Sequence, residues 1–293
     1  MTDKFHAANL HAPTVASFGD EWARFDQSGL GAAEWTAIFD TYFGLFPWQD
    51  LPENAEGFDM GCGSGRWARG VAPRVGLLHC IDPSAEALTV ARRNLAEAGN
   101  TVVHQAGVDD APLAAGSQDF GYSLGVLHHI PDTAAALAAC TALLKPGAPF
   151  LVYLYYRFDN RPAWFRGLWL ASETLRGVVS RLPGQVKPMV TDAIAAAVYW
   201  PLARGARLAE RCGIDPAALP LSYYRDRSFY TMRTDSRDRF GTPLEQRFTR
   251  PEIEEMMLGA GLEHIRFSQQ EPFWVACGIK SGGAGAVGGE AGQ

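Results

Sequence analysis

What this 293-residue chain lacks narrows its reading before any motif is considered. It contains no run of roughly eighteen consecutive apolar residues, the length a membrane-spanning helix needs, so no span is predicted. Its opening residues, MTDKFHAANLHAP, lack the apolar stretch of a secretory signal. Cysteine is scarce: Cys62, Cys80, Cys140, Cys212 and Cys277 are scattered, with no CxxC pair and no Cys/His cluster at zinc spacing. No metal site is therefore expected, and a reduced, cytoplasmic protein is the simple expectation. Basic residues are the minority, 26 Lys and Arg against 32 Asp and Glu, a net charge of −6, and no Lys/Arg-rich run occurs. A nucleic-acid partner, which calls for a basic stripe, is not expected. Internal repeats are absent too.

What is present is enough apolar sequence, 47% of the residues, to bury a substantial core. Residues 1–52 read as a helical cap in which Trp35, Phe39, Tyr42, Phe43 and Phe46 recur at three- and four-residue steps. Residues 53–156 alternate short apolar runs with helical ones, the rhythm of βαβ units and a parallel sheet covered on both faces. Within them PSAEALTVARRNLAEAG reads as a helix entered at Pro83 and ended by Gly99. The rhythm breaks at 157–246, read as a mainly helical, substrate-binding insertion that closes with an irregular polar and aromatic stretch, LSYYRDRSFYTMRTDSRDRFG. It returns over 247–280: Thr249 and Glu252 form a capping box with Pro251 in the first turn, and two strands without an intervening helix predict an antiparallel hairpin. The Gly/Ala-rich residues 281–293 read as a disordered tail.

Four strand ends carry candidate chemistry, because ligands of open α/β sheets sit beyond the carboxyl ends of the strands. The first is GFDMGCGSGRWARG. Asp59 precedes a turn containing Gly61, Cys62, Gly63 and Gly65, and Arg66 stands where the dinucleotide GxGxxG pattern needs its third glycine. An acid ahead of the turn suits a cationic ligand better than a pyrophosphate. The second is Asp82-Pro83, placed to accept two ribose hydroxyls or, alternatively, to cap the next helix together with Ser84. The third is Val108-Asp109, able to pack and bond an adenine or simply to form a turn. The fourth is YSLGVLHHIPD, which holds Ser123, Leu124, Gly125, His128 and His129.

In this order the elements resemble the class I S-adenosylmethionine (SAM)-dependent methyltransferases of the small-molecule, ubiquinone/menaquinone type, over residues 39–156 and more weakly over 248–280. The resemblance implies a Rossmann-like α/β fold, a mostly parallel sheet with an antiparallel C-terminal hairpin, and SAM as cofactor. It implies that Asp59 and the Gly61–Gly65 turn, with Cys62 and Gly63, hold the methionine end; that Asp82 and Pro83 hold the ribose; that Val108 and Asp109 hold adenine; and that Ser123, Leu124 and Gly125 line the sulfonium side. Gly107 stands where the family often has an acid. The expected reaction is methyl transfer to a small-molecule acceptor, on oxygen, nitrogen or carbon. The alternative is a SAM-binding enzyme of the same fold that catalyses a cyclisation, decarboxylation or rearrangement.

Consecutive residues entering a helix point to different sides, so one of the two histidines should face the ligand, and His128 is the one expected there. His128, Tyr156 and Tyr230 are the candidate catalytic residues, a histidine being suited to take a proton where the acceptor must lose one. In the insertion, Arg225, Arg227 and Arg233 would either bind an acidic group on the acceptor or pair with Asp226, Asp235 and Asp238. Its Trp- and Arg-bearing helices would serve as a lid or rest on a membrane surface. Phe18, Trp22 and Phe25 would close over the cofactor or simply pack.

Overall fold

A computed structural model of the chain describes residues 9–216 and 219–282. Its centre is a seven-stranded sheet: β1 (Glu56–Met60), β2 (Leu77–Asp82), β3 (Thr101–Gln105), β4 (Phe120–Leu124), β5 (Pro149–Tyr153), β6 (Leu262–Phe267) and β7 (Val275–Lys280). The strand order is β3-β2-β1-β4-β5-β7-β6. The first five strands pair in parallel, while β7 runs antiparallel to both β5 and β6, as the missing helix between the last two strands predicts. From β1 the chain winds outward through β2 and β3, then restarts on the other side with β4. The ends of β1 and β4 therefore flank the crevice where the winding reverses.

Parallel strands are covered on both faces, and the sequence supplies for this. All five residues of β4 and four of the five in β1 are buried. On this sheet Phe58 lies over Gly121 and Phe120 over Gly57, and a Cβ on either glycine would meet the opposing ring at 2.3 Å. One face is packed by α2 (Ala32–Phe43), whose Phe39 and Phe43 stack at 4.3 Å between ring centroids and join Leu78, Phe120 and Tyr122 in one core. The other face is packed by α5 (Thr133–Ala142) and α10 (Arg250–Gly259), with Leu137, Ile253 and Met257 against Phe58, Phe150 and Val152. The expected capping box opens α10: Thr249 accepts from Glu252 N, and Glu252 returns a bond to Thr249 N.

Helix α1 (Ala12–Arg24) packs on α4 (Ala85–Asn94). The segment 157–246 folds as α6 (Ala163–Val179), α7 (Lys187–Ile194), a short π turn, α8 (Trp200–Arg211) and α9 (Phe229–Gly241), around a small core of its own that includes Val179, Tyr199, Met232 and Phe240. It leaves and rejoins the sheet domain at one place: Phe248 N donates to Tyr155 O and Arg157 N to Phe248 O, both at 2.9 Å. Among the described residues no helix is long and apolar enough to cross a membrane.

Three local expectations are corrected. The stretch read as irregular contains α9, capped by Ser228; polar residues surround this helix, so no apolar stripe announces it. Helix α4 ends at Asn94, five residues short of Gly99, with Leu95 as its cap. The run GSGRWARGVAPRV, which reads as a helix from Gly63 onward, forms only α3 (Ala68–Val71) and one 3₁₀ turn that contains Pro73. Most of the tail expectation, 283–293, lies outside the described residues.

Candidate functional site

The three glycines after β1 all adopt left-handed backbone angles, φ +80° at Gly61, +52° at Gly63 and +75° at Gly65. The turn folds back over β2: Gly61 N and Cys62 N both donate to Ile81 O. Two of its glycines are required sterically as well. A Cβ on Gly61 would strike the Val126 side chain at 2.4 Å, and one on Gly63 would meet the Trp22 indole at 2.8 Å. Asp82, at the end of β2, accepts from Gly63 N through one oxygen and from Ser84 N through the other, each at 2.9 Å. Ser84 in turn caps α4 by accepting from Ala87 N. The two readings of Asp82 and Ser84 thus divide between the residues: Ser84 is the helix cap, and Asp82 ties the two strand-end loops together with lone pairs left for a ligand. Burial raises the Asp82 carboxyl to about 6.

These loops form one end of a cavity of about 690 Å³. Gly61, Cys62, Gly63, Asp82, Pro83, Val108, Leu124, Gly125 and Tyr156 all line it. The other expected residues are placed elsewhere. Asp59 is 1% exposed and lies beneath the turn, where Tyr122 OH donates to it at 3.0 Å and burial raises its carboxyl to about 8. Gly65 packs against Leu95. Ser123 is buried, its hydroxyl bonded to Met60 O. Asp109 accepts from Asn9 N at 2.7 Å rather than facing the cavity, which Gly107 and Val108 reach.

The histidine expectation is reversed. His128 is fully buried, stacked on Tyr155 with ring centroids 3.9 Å apart, and outside the lining. His129 lines the cavity; its Nδ1 bonds Leu244 O at 2.7 Å, which fixes the tautomer. Burial holds His129 down at about 4, so it is neutral. The two residues share a 3₁₀ turn rather than an α-helical entry, and the turn directs the second one outward. Tyr230 is likewise outside the lining: its hydroxyl accepts from Gln27 N and its ring packs edge-on against Phe25. Phe18 and Trp22 line the cavity, whereas Phe25 is core.

The far end of the cavity is strongly aromatic, with Tyr153 and Tyr155 at the end of β5 and Phe158, Trp169, Tyr199, Tyr223, Tyr224 and Phe240 from the insertion. Arg225, Arg227 and Arg233 do not line it. Arg225 pairs with Glu210 and Asp226, Arg233 with Asp192, and Arg227 lies over the Tyr223 ring. Asp235 and Asp238 do line it, one turn apart on α9. Tyr155, which donates to Asp238, escaped the sequence reading, as did Glu21, Asp235 and Asp238 as ligand-facing acids. The i, i+3 spacing of the two aspartates was the available signal, but it shows a common face only once the segment is known to be helical. Among the described residues, no His/Cys/Asp/Glu cluster is close enough to hold a metal ion.

Residues 58–152, which contain the glycine turn, Asp82 and the β4 loop, match the family model described as "Methyltransferase domain". Over these residues the chain is similar to that family, and its sheet has the Rossmann-like arrangement. Two curated relatives are named ubiquinone biosynthesis O-methyltransferase. That of Thiobacillus denitrificans is 38% identical over 107 residues, 36% of this chain and 44% of the relative. That of Xanthomonas axonopodis pv. citri is 29% identical over 165 residues, 56% of this chain and 67% of the relative. The match thus spans less than half the length of the first. Among solved structures, an O-methyltransferase family protein from Burkholderia thailandensis superimposes with a TM-score of 0.52 at 15% identity, covering 92% of this chain and 60% of that one, a likeness of fold. The methyltransferase fold accounts for the sheet order; most of the aromatic end of the cavity lies beyond the matched residues.

Proposed function

We propose that the protein transfers a methyl group from SAM to a small-molecule acceptor. The observation that carries this reading is the continuity of the cavity: a single chamber runs from the glycine turn and Asp82 to the aromatic end under the insertion. A cofactor site alone would end at the strand loops.

The lining residues fit SAM. The Asp82 carboxylate keeps lone pairs for two ribose hydroxyls after accepting from Gly63 N and Ser84 N. Pro83 and Val108 offer an apolar slot for adenine, and the turn at Gly61 and Gly63 brings bare backbone to the methionine end. Asp59 acts from beneath, as a buried acid whose ionisation a bound ammonium favours. When bound, SAM supplies an electrophilic methyl on a sulfonium. The chain supplies position and dryness: Trp22 covers Gly63, and the aromatic walls hold the acceptor facing Leu124 and Gly125. His129, neutral and tautomer-fixed, lines the same chamber.

Calorimetry with SAM and S-adenosylhomocysteine tests the reading. One-to-one saturable binding of both is expected; binding of neither would end it.

A further inference from the structure

Three of the arginines that line the cavity are neutralised in ion pairs: Arg161 with Glu271, Arg239 with Glu173 and Glu245, and Arg247 with Glu245 at 2.7 Å. Apart from Asp82, which is bonded to two backbone N–H groups at the strand ends, three of its acids are not. Among the described residues, no Lys or Arg forms an ion pair with Glu21, Asp235 or Asp238. Glu21 is only 1% exposed and its Oε2 has no hydrogen-bond partner, although its residue lines the chamber. Asp238 has a hydroxyl from Tyr155, a long contact to Thr242 Oγ1 at 3.5 Å, and the neutral His129 at 3.7 Å. Asp235 has the Tyr224 hydroxyl.

Around these acids the walls are tyrosine. Tyr42, Tyr153 and Tyr223 all lie near enough to Asp235 to feel its charge. Tyr42 and Tyr153 meet edge to face at 5.1 Å, as do Tyr223 and Tyr224. An anionic acceptor would be repelled by any of these carboxyls that ionises, and a neutral one offers them no counter-charge. A cation satisfies both features, by charge pairing with the acids and by attraction to the ring faces. Arg66, whose guanidinium lies over Trp67 and acts on Asp235, is one positive charge against three acids.

We propose that the acceptor carries a positively charged amine, seated between Asp235 and Asp238 within the tyrosine walls. This rests on the methyl-transfer reading of the same cavity and specifies the chemical class of its acceptor. In the free protein burial raises all three carboxyls, Asp238 to about 7, so seating a cation displaces protons. The charged and titratable neighbours that set this balance are Glu245, Arg247 and Arg239 around Asp238; Arg66, Arg227, Tyr224 and Glu34 around Asp235; and Arg237, with the two aspartates, around Glu21.

Three matched probes test the inference by calorimetry on the full chain saturated with S-adenosylhomocysteine: phenethylamine, 2-phenylethanol and phenylacetate. Phenethylamine is expected to bind at least about tenfold tighter than the alcohol, with phenylacetate weakest. Asp235→Asn and Asp238→Asn should each erase that preference while leaving S-adenosylhomocysteine affinity within about twofold, which also reports an intact fold. Phenyltrimethylammonium, which has no proton to lose, should release protons at neutral pH, read from the dependence of the heat on buffer ionisation enthalpy. Equal or tighter binding of the alcohol or the acid, failure of all three probes to bind, an amine affinity unchanged in both variants, or no proton release would overturn the proposal. Failure of S-adenosylhomocysteine itself to bind would instead remove the methyl-transfer reading on which it rests.

Discussion

Asp82 directs its two oxygens to two backbone N–H groups, one in the glycine turn and one in the turn that starts α4. Removing the carboxylate therefore does two things: it takes away the proposed acceptor for the ribose hydroxyls and frees the loops from each other. Asp82→Ala should weaken S-adenosylhomocysteine by at least about tenfold, more than one lost neutral hydrogen bond would give; an unchanged Kd from calorimetry would show that the ribose is held elsewhere. Burial raises this carboxyl to about 6. Ligand hydroxyls favour the ionised form, so protons compete with the ligand, and affinity should fall as pH drops through about 6. Gly63→Ala tests the turn by a different route. The substitution requires a left-handed angle of +52° and pushes a methyl to 2.8 Å from Trp22. The backbone term alone is about 1–2 kcal/mol, and displacement of Trp22 should raise the ligand's dissociation rate in stopped-flow measurements.

At the scale of elements, the helices and strands that sequence makes legible are those whose signals are local. The capping box at Thr249 and Glu252 is such a signal, and the structure contains both of its bonds. Thr249→Ala should lower stability by about 1 kcal/mol in urea unfolding and leave S-adenosylhomocysteine affinity unchanged, because α10 packs on α5 and β6, away from the cavity. The alternation from β1 to β5 was legible for the same reason, and so was the position of Asp82, Pro83 and Val108 at strand ends, where they line the cavity. What could not be read depends on partners distant in sequence. Helix α9 buries Met232, Ser236, Arg237 and Phe240 against different neighbours, so its inward residues share no common chemistry. The choice between His128 and His129 was settled by the form of a three-residue turn and by Leu244, 115 residues onward. Tyr230 was claimed by Gln27, from the far end of the chain.

Over the whole molecule, two opposed sets of buried titratable groups set the response to pH. Asp238 at about 7 and Asp59 at about 8 have folded-state values above their unfolded ones. Their contribution is complete below the unfolded carboxylate range and is lost as pH rises through those values. His128 and His129 are held below the ordinary histidine value, so their contribution is complete above about 6.5 and is lost as pH falls. Between about pH 6.5 and 8.5 only the carboxyls of these two sets titrate, and the Tm of the ligand-free protein should fall across that window. A flat or rising Tm by scanning calorimetry would mean that these acids are already ionised when the site is free. The insertion has its own consequence at this scale. Its two ends are clamped side by side by Phe248 N to Tyr155 O and Arg157 N to Phe248 O. Some ninety residues therefore hang from the sheet domain as a pendant loop whose gap is already closed, with no strand threaded through it. A short turn bridging Tyr156 to Arg247 would leave every strand register intact, so these ninety residues can be exchanged as a cassette at one point in the chain, taking with them their share of the cavity wall while Tyr153, Tyr155 and the strand-end loops stay as they are.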